Sequence, residues 1–252
     1  MPVTWRSKKS TNLLALLLMS PGRPVPKESI ERALWPSANR PARTSSVKVA
    51  VHLLRRALDD EFGPERTVLR IDGVSGAYVL HAGAATTVDV HEFEQLCRSG
   101  RVAERHGDTQ TARQCYRRAL ALHSGEFLSK HGEEWCHTPR RWLQAELVRA
   151  LEVLATYACE DGDFDAVSDY VTKIFSHDAV NEHAFRMLIT IHGRMARMDQ
   201  VQYWYDCCVF RLAYELDVSP TRRTRHLYRR ALDGDLVDAR HPTSRTSPCR
   251  TS

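Results

Sequence analysis

No Cys-x-x-Cys pair occurs in this 252-residue chain, and its seven cysteines (97, 115, 136, 159, 207, 208 and 249) are odd in number and scattered. That pattern points away from a disulfide framework and a paired-cysteine zinc site and, with no convincing secretory signal, the cysteines read as reduced thiols, mostly packed as small hydrophobes. Cys207 and Cys208 would point about 100° apart on a helix, which disfavours a structural bridge between them. Long apolar runs are also missing. Leu13 to Met19 follows Arg6, Lys8 and Lys9 as a signal sequence would, but it is too short to cross a membrane and no small-residue cleavage site follows. It reads as a buried helix, and the expected location is cytoplasmic, near the nucleoid. Catalytic signatures are absent too: no GxxxxGK[ST], no GxSxG, no HExxH and no dinucleotide-binding glycine fingerprint. Cys136-His137 beside Glu133 and Glu134 lacks a second ligand pair and is expected to be a surface loop. No enzyme, cofactor or metal is expected, nor a receiver-like α/β segment.

Positive charge is unevenly spread. Residues 1–82 carry 13 Lys and Arg against 7 Asp and Glu, net +6, whereas residues 83–252 carry 23 against 24, net −1, so the whole positive excess falls in the first third. A basic small domain beside a neutral larger one is expected where only the first meets an anionic polymer.

Within that first third, Val47, Val51, Leu54 and Leu58 recur along Thr44 to Asp60 with helical spacing. Ser45, Lys48, His52, Arg55 and Arg56 fall on the opposite, wet side. RTVLRI (Arg66 to Ile71), a turn through Asp72, Gly73 and Gly76, and AYVLHA (Ala77 to Ala82) then read as a hairpin. Helix followed by hairpin is the layout of a winged helix, whose helix enters the major groove of double-stranded DNA. Ser45, Lys48, Val49 and His52 are the expected base-edge contacts, and Arg55 and Arg56 the expected phosphate contacts. Arg43 and Thr44 are expected to hold a phosphate on the free N–H groups of the helix start, and Arg70 to make the wing contact. Tyr78 reads as core.

Pro21-Gly22 and Pro36 divide the preceding segment into helices over Asn12 to Ser20 and Pro26 to Trp35, followed by a polar loop, SANRPARTS. From Val88 to Leu232 the pattern is helical, apart from a loop at His123 to Pro139, and it holds a degraded repeat. Gly107-Asp108 precedes Ala112 and Tyr116, Gly162-Asp163 precedes Ala166 and Tyr170, and Met198-Asp199 precedes Val201 and Tyr205. The period approaches the roughly 34 residues of tetratricopeptide repeats. Trp135 and Trp142 are expected between its helices, and Asp233 to Ser252 reads as a disordered tail. The fold class is therefore mainly α: a winged helix over 1–82, a tetratricopeptide-like repeat domain over 88–233, and a tail over 234–252.

Several words occur in an order that resembles the actinomycete antibiotic-regulatory-protein type of transcription factor. They are LLALLLMSPGRPV (Leu13 to Val25), ALWP (Ala33 to Pro36), VKVAVHLLRRAL (Val47 to Leu58), GAYVL (Gly76 to Leu80), VDVHEFEQL (Val88 to Leu96), YRRALAL (Tyr116 to Leu122) with GEFL (Gly125 to Leu128), and ELDVSPTRRTRHLY (Glu215 to Tyr228). That family joins a response-regulator-like winged helix to a helical bacterial transcriptional activation domain. The resemblance implies an activator that binds direct-repeat promoter sites, a homodimer on DNA, and contact with RNA polymerase. About nine residues precede Ser10, so the family's opening strands are expected to be missing and the hairpin to stand without a sheet. A second reading is a helical-repeat protein-interaction module whose degenerate winged helix no longer binds DNA.

Overall fold

The computed structural model describes residues 7–36, 40–63, 69–83, 86–129 and 132–237, and of residues 40–45 the backbone alone. Two compact units emerge, one of residues 1–99 with 121–143 and one of residues 100–120 with 144–252.

The first unit begins with α1 (Lys8–Leu18), whose N-cap Ser7 side chain accepts from the Ser10 backbone N–H. A two-residue strand β1 (Val25–Pro26), α2 (Lys27–Leu34) and the long helix α3 (Arg40–Phe62) follow, then β2 (Leu69–Val74) and β3 (Ala77–Ala82). This order of helices and strands is that of a winged helix. The sheet runs β1-β3-β2, antiparallel throughout, so the hairpin is not alone: β1 covers its free edge through Val25 opposite Tyr78. Val74 pairs with Ala77 across a two-residue turn in which Ser75 (φ 40°) and Gly76 (φ 81°) both lie in the left-handed region. That type I′ geometry matches the strand twist. Asp72 and Gly73, expected in the turn, belong to β2. The Arg66 end of the expected strand lies outside the described residues.

Val47, Val51, Leu54 and Leu58 turn inward as their spacing predicts, joining Leu13, Leu17, Ile30, Leu34, Ile71 and Leu80 in one core. Tyr78 packs on its edge. Lys9 Nζ donates to the Leu34 carbonyl at 2.5 Å and lies 5.7 Å from the Trp35 ring, closing the C-terminus of α2. Segment 123–136 also belongs to this unit. Trp135 packs against the core, and Glu133 accepts from the buried amide of Asn12 and pairs with Lys8 at 3.8 Å. The expected surface loop is thus a cover: Cys136 is fully buried in a 3₁₀ turn (Glu134–Cys136) that leads straight into a helix at His137. Trp135 lies under the first unit and not between repeat helices, while Trp142 stays 43% exposed.

The second unit is built from helix pairs. Its members are the end of α4 (Asp89–Arg105), α5 (Thr109–Leu122) up to residue 120, α6 (His137–Asp161) from residue 144, α7 (Phe164–His177), α8 (Glu182–Arg194), α9 (Met198–Leu216) and α10 (Arg222–Leu232). The repeat has a backbone signature at three corners. Gly107 (φ 73°), Gly162 (φ 78°) and Ala196 (φ 53°) are left-handed. The next N–H reaches back five residues each time: Asp108 to Ala103 (3.0 Å), Asp163 to Ala158 (2.9 Å) and Arg197 to His192 (2.9 Å). The last two corners are 34 residues apart. Aligned on them, the fully buried positions are Ala112, Val167 and Val201, and four residues on come Tyr116, Val171 and Tyr205. The middle pair is therefore Val167 and Val171, one residue beyond the expected Ala166 and Tyr170. At the third corner Ala196-Arg197 takes the place assigned to Met198-Asp199. Past Asp233 the chain continues in an ordered turn, and Leu236 packs against Gly193 and Ala231, so the expected tail starts later than 234. Residues 238–252 lie outside the described residues.

Candidate nucleic-acid interface

α3 starts at Arg40 because Pro41 suits a first turn, where its missing N–H has no helical partner to lose. Arg43 and Thr44 consequently lie inside the helix, and their N–H groups are not at its free end, unlike the expectation for a phosphate there. Their side chains and that of Ser45 lie outside the described ones.

From Lys48 onward the helix separates cleanly into two sides. Val47, Ala50, Val51, Leu54 and Leu58 are at most 4% exposed. Lys48, Val49, His52, Leu53 and Arg56 are all exposed and succeed one another at steps of one, three or four residues, so they form one outward stripe about two turns long. Val49 is 57% exposed and Leu53 42%, apolar patches between the cations. Such a stripe offers an ammonium, an imidazole and a guanidinium as donors, with methyl groups able to meet a thymine methyl. Asp59, Asp60 and Glu61 close the helix with exposed carboxylates, so the attraction for an anion is confined to the earlier turns.

Arg55 has a different partner from the expected phosphate. Its Nε and Nη2 donate to the Ile71 carbonyl at 3.0 and 2.7 Å, which braces α3 against β2. No sequence pattern announces a bond to a carbonyl 16 residues on. On the wing, Arg70 pairs with Asp72 at 2.9 Å, and His81, directly opposite Arg70 in the ladder, lies 3.4 Å from the same carboxylate. Arg70 remains accessible, with part of its charge offset by that neighbour. Val74, Ser75 and Gly76 expose the wing tip.

A second concentration of positive charge lies in α10, in the run RRTRHLYRR, although residues 83–252 are near neutral as a whole.

Family comparison gives two matches, "Transcriptional regulatory protein, C terminal" over residues 3–76 and "Bacterial transcriptional activator domain" over residues 88–232. Both describe transcriptional regulators, not enzymes. The chain is 26% identical over 230 residues to the regulatory protein AfsR of Streptomyces coelicolor, covering 91% of this chain and 22% of AfsR. Its fold is similar to that of Mycobacterium tuberculosis EmbR, solved in complex with a low-affinity phosphopeptide, with a TM-score of 0.80 and 23% identity over 94% of this chain and 62% of that one. It thus spans about a fifth of the curated relative's length and under two thirds of the solved chain. Since the activator-domain match alone runs over more than half of its residues, behind a winged helix, the protein belongs to the bacterial transcriptional activator domain family, in the arrangement of the actinomycete antibiotic-regulatory-protein type of regulator.

Proposed function

We propose that this protein is a sequence-specific DNA-binding regulator that activates transcription by seating α3 in the major groove at direct-repeat promoter sites. The observation that carries this reading is the outward stripe of α3, held up by the fully buried Val47 and Leu54 and braced by Arg55. Lys48, Val49 and His52, with Ser45 one turn earlier, are the base-reading side chains. Arg56 takes phosphate, Arg43 and Thr44 meet the backbone at the groove edge, and Arg70 makes the wing contact. Arg55 acts as the brace that fixes the angle of the stripe. The three-stranded sheet supports the wing and weighs against a degenerate head. Two copies on tandem half-sites, contact with RNA polymerase and a cytoplasmic, nucleoid-associated location complete the proposal. Among the described residues no helix is long and apolar enough to cross a membrane.

The test is selection from a random duplex library with the whole chain, followed by anisotropy titrations. An enriched tandem motif is expected, and Lys48→Ala and His52→Ala should each cost about 1–3 kcal/mol on that motif and little on scrambled DNA. Failure to enrich any motif sinks the proposal.

A second reading, a protein-interaction module, draws on α9. Tyr203 (54% exposed), Phe210 (66%) and Tyr214 (76%) form a solvent-facing stripe there. Large exposed aromatics in line suit a protein partner. Capture of a partner that depends on Phe210, by a chain that retains no DNA, would select it.

A further inference from the structure

Helix α10 carries five arginines and His226 within eleven residues, and no carboxylate. All six basic side chains are exposed. At about 100° per residue, Arg225, Arg229, Arg222, His226, Arg230 and Arg223 succeed one another around a continuous arc of about 160°. The inward side is Thr224 and Ala231, both fully buried, with Leu227 and Tyr228 packed beside them. Arg230 lies 3.8 Å from Asp235, and among the described residues the other four arginines have no carboxylate partner.

This arrangement works against the helix that bears it. Arg222, Arg223 and Arg225 sit in the first turns with no acidic residue among them, where the backbone already carries partial positive charge. Arg222 and Arg225, three residues apart, and Arg225 and Arg229, four apart, repel one another. What offsets this is Glu182 on α8, whose carboxylate accepts from the Thr221 backbone N–H at 3.1 Å, from its hydroxyl at 2.8 Å, and from the Thr224 hydroxyl. The repulsion reaches inward: burial first, and then the Arg223 charge, push the Arg186 guanidinium below its ordinary value. Five arginine cations kept on one face at a cost to the fold imply an anionic partner.

We propose that α10 is a second polyanion-binding face, one that grips the phosphate backbone of double-stranded DNA without reading its sequence. This rests on the DNA-binding reading of the chain. A phosphate backbone is favoured over an acidic protein because no large apolar side chain interrupts the arc between Arg222 and Arg230. Protein interfaces need such an anchor at their centre, whereas phosphate contacts do not.

The experiment titrates the full chain with two labelled duplexes, one carrying the selected site and one scrambled, over a series of NaCl concentrations. The triple substitution Arg222→Ala, Arg225→Ala and Arg229→Ala should lower the log-log salt slope by about 2–3, at roughly 0.9 per phosphate contact, equally on both duplexes. Its melting temperature should stay the same or rise. The corresponding triple lysine variant should keep most of the slope and guards against misfolding. An unchanged slope in the alanine variant overturns the proposal, and so does a variant that loses self-association while binding DNA normally. The α3 variants separate the two readings: Lys48→Ala with His52→Ala should erase the preference between duplexes and leave the α10-dependent slope. Wild-type protein without any preference would sink the sequence-reading proposal alone.

Discussion

Gly100 shows how one missing methyl group shapes the repeat unit. A Cβ there would lie 2.7–3.0 Å from three ring atoms of Tyr116, which is itself 1% exposed and held by Ala103, Ala112, Ala150 and Leu154. Helix propensity favours alanine over glycine by about 1 kcal/mol, but a rigid buried ring cannot give way by the required distance. Gly100→Ala should therefore destabilise by about 1–3 kcal/mol in chemical denaturation, against the propensity trend. Ala196 presents the opposite case. It occupies the left-handed corner position where the two other repeats have glycine, so Ala196→Gly should stabilise by about 0.5–1 kcal/mol. Loss of stability there would mean that the corner is not strained. Histidines set an acid limit. Burial is the first cause that pushes both His183 and His192 below their ordinary value of 6.5, with Arg186 and Arg223 adding to it at His183 against Glu152, and Arg197 adding to it at His192. The unfolded chain then binds protons that the folded chain refuses. Their contribution is present above pH 6.5 and is lost as pH falls below it, so the melting temperature should drop between neutrality and mild acid. The double variant His183→Gln, His192→Gln should flatten that drop; an equally steep profile would refute the assignment.

Among the elements, α3 was the most legible, because its buried residues obey one helical period and every one faces the core. Its start was not legible: Pro41 within SANRPARTS reads as loop, although proline is at home in a first helical turn. The strand Val25–Pro26 is too short to leave a pattern, so the sheet was underestimated from sequence. At the second corner of the repeat Ala166 and Tyr170 imitate the small-then-tyrosine word of the first, and the buried pair is displaced to Val167 and Val171. Of the candidate site, the exposed stripe followed from periodicity, while the Arg55 brace required tertiary structure. Ser75 offers a test at this scale. As a non-glycine residue at φ 40° in the wing turn it is strained, and Ser75→Asn, which tolerates that region, should raise the melting temperature modestly without altering DNA preference.

For the whole molecule, the compact units do not follow the chain in sequence. Residues 121–143 group with 1–99, and within that unit the carboxylate of Glu133 meets the amide of Asn12, a side chain with no solvent exposure. Removing that carboxylate deletes a charge-assisted hydrogen bond to a buried amide, at about 1.5–3 kcal/mol. Glu133→Ala should hence lower thermal stability and, by loosening α1 under α3, weaken DNA affinity at physiological temperature more than in the cold. Anyone wishing to transplant the winged helix onto another effector therefore inherits a constraint. A cut after the hairpin leaves behind the tryptophan lid and its acidic latch, so an exchangeable cassette must carry both stretches of chain or supply a surrogate for the second.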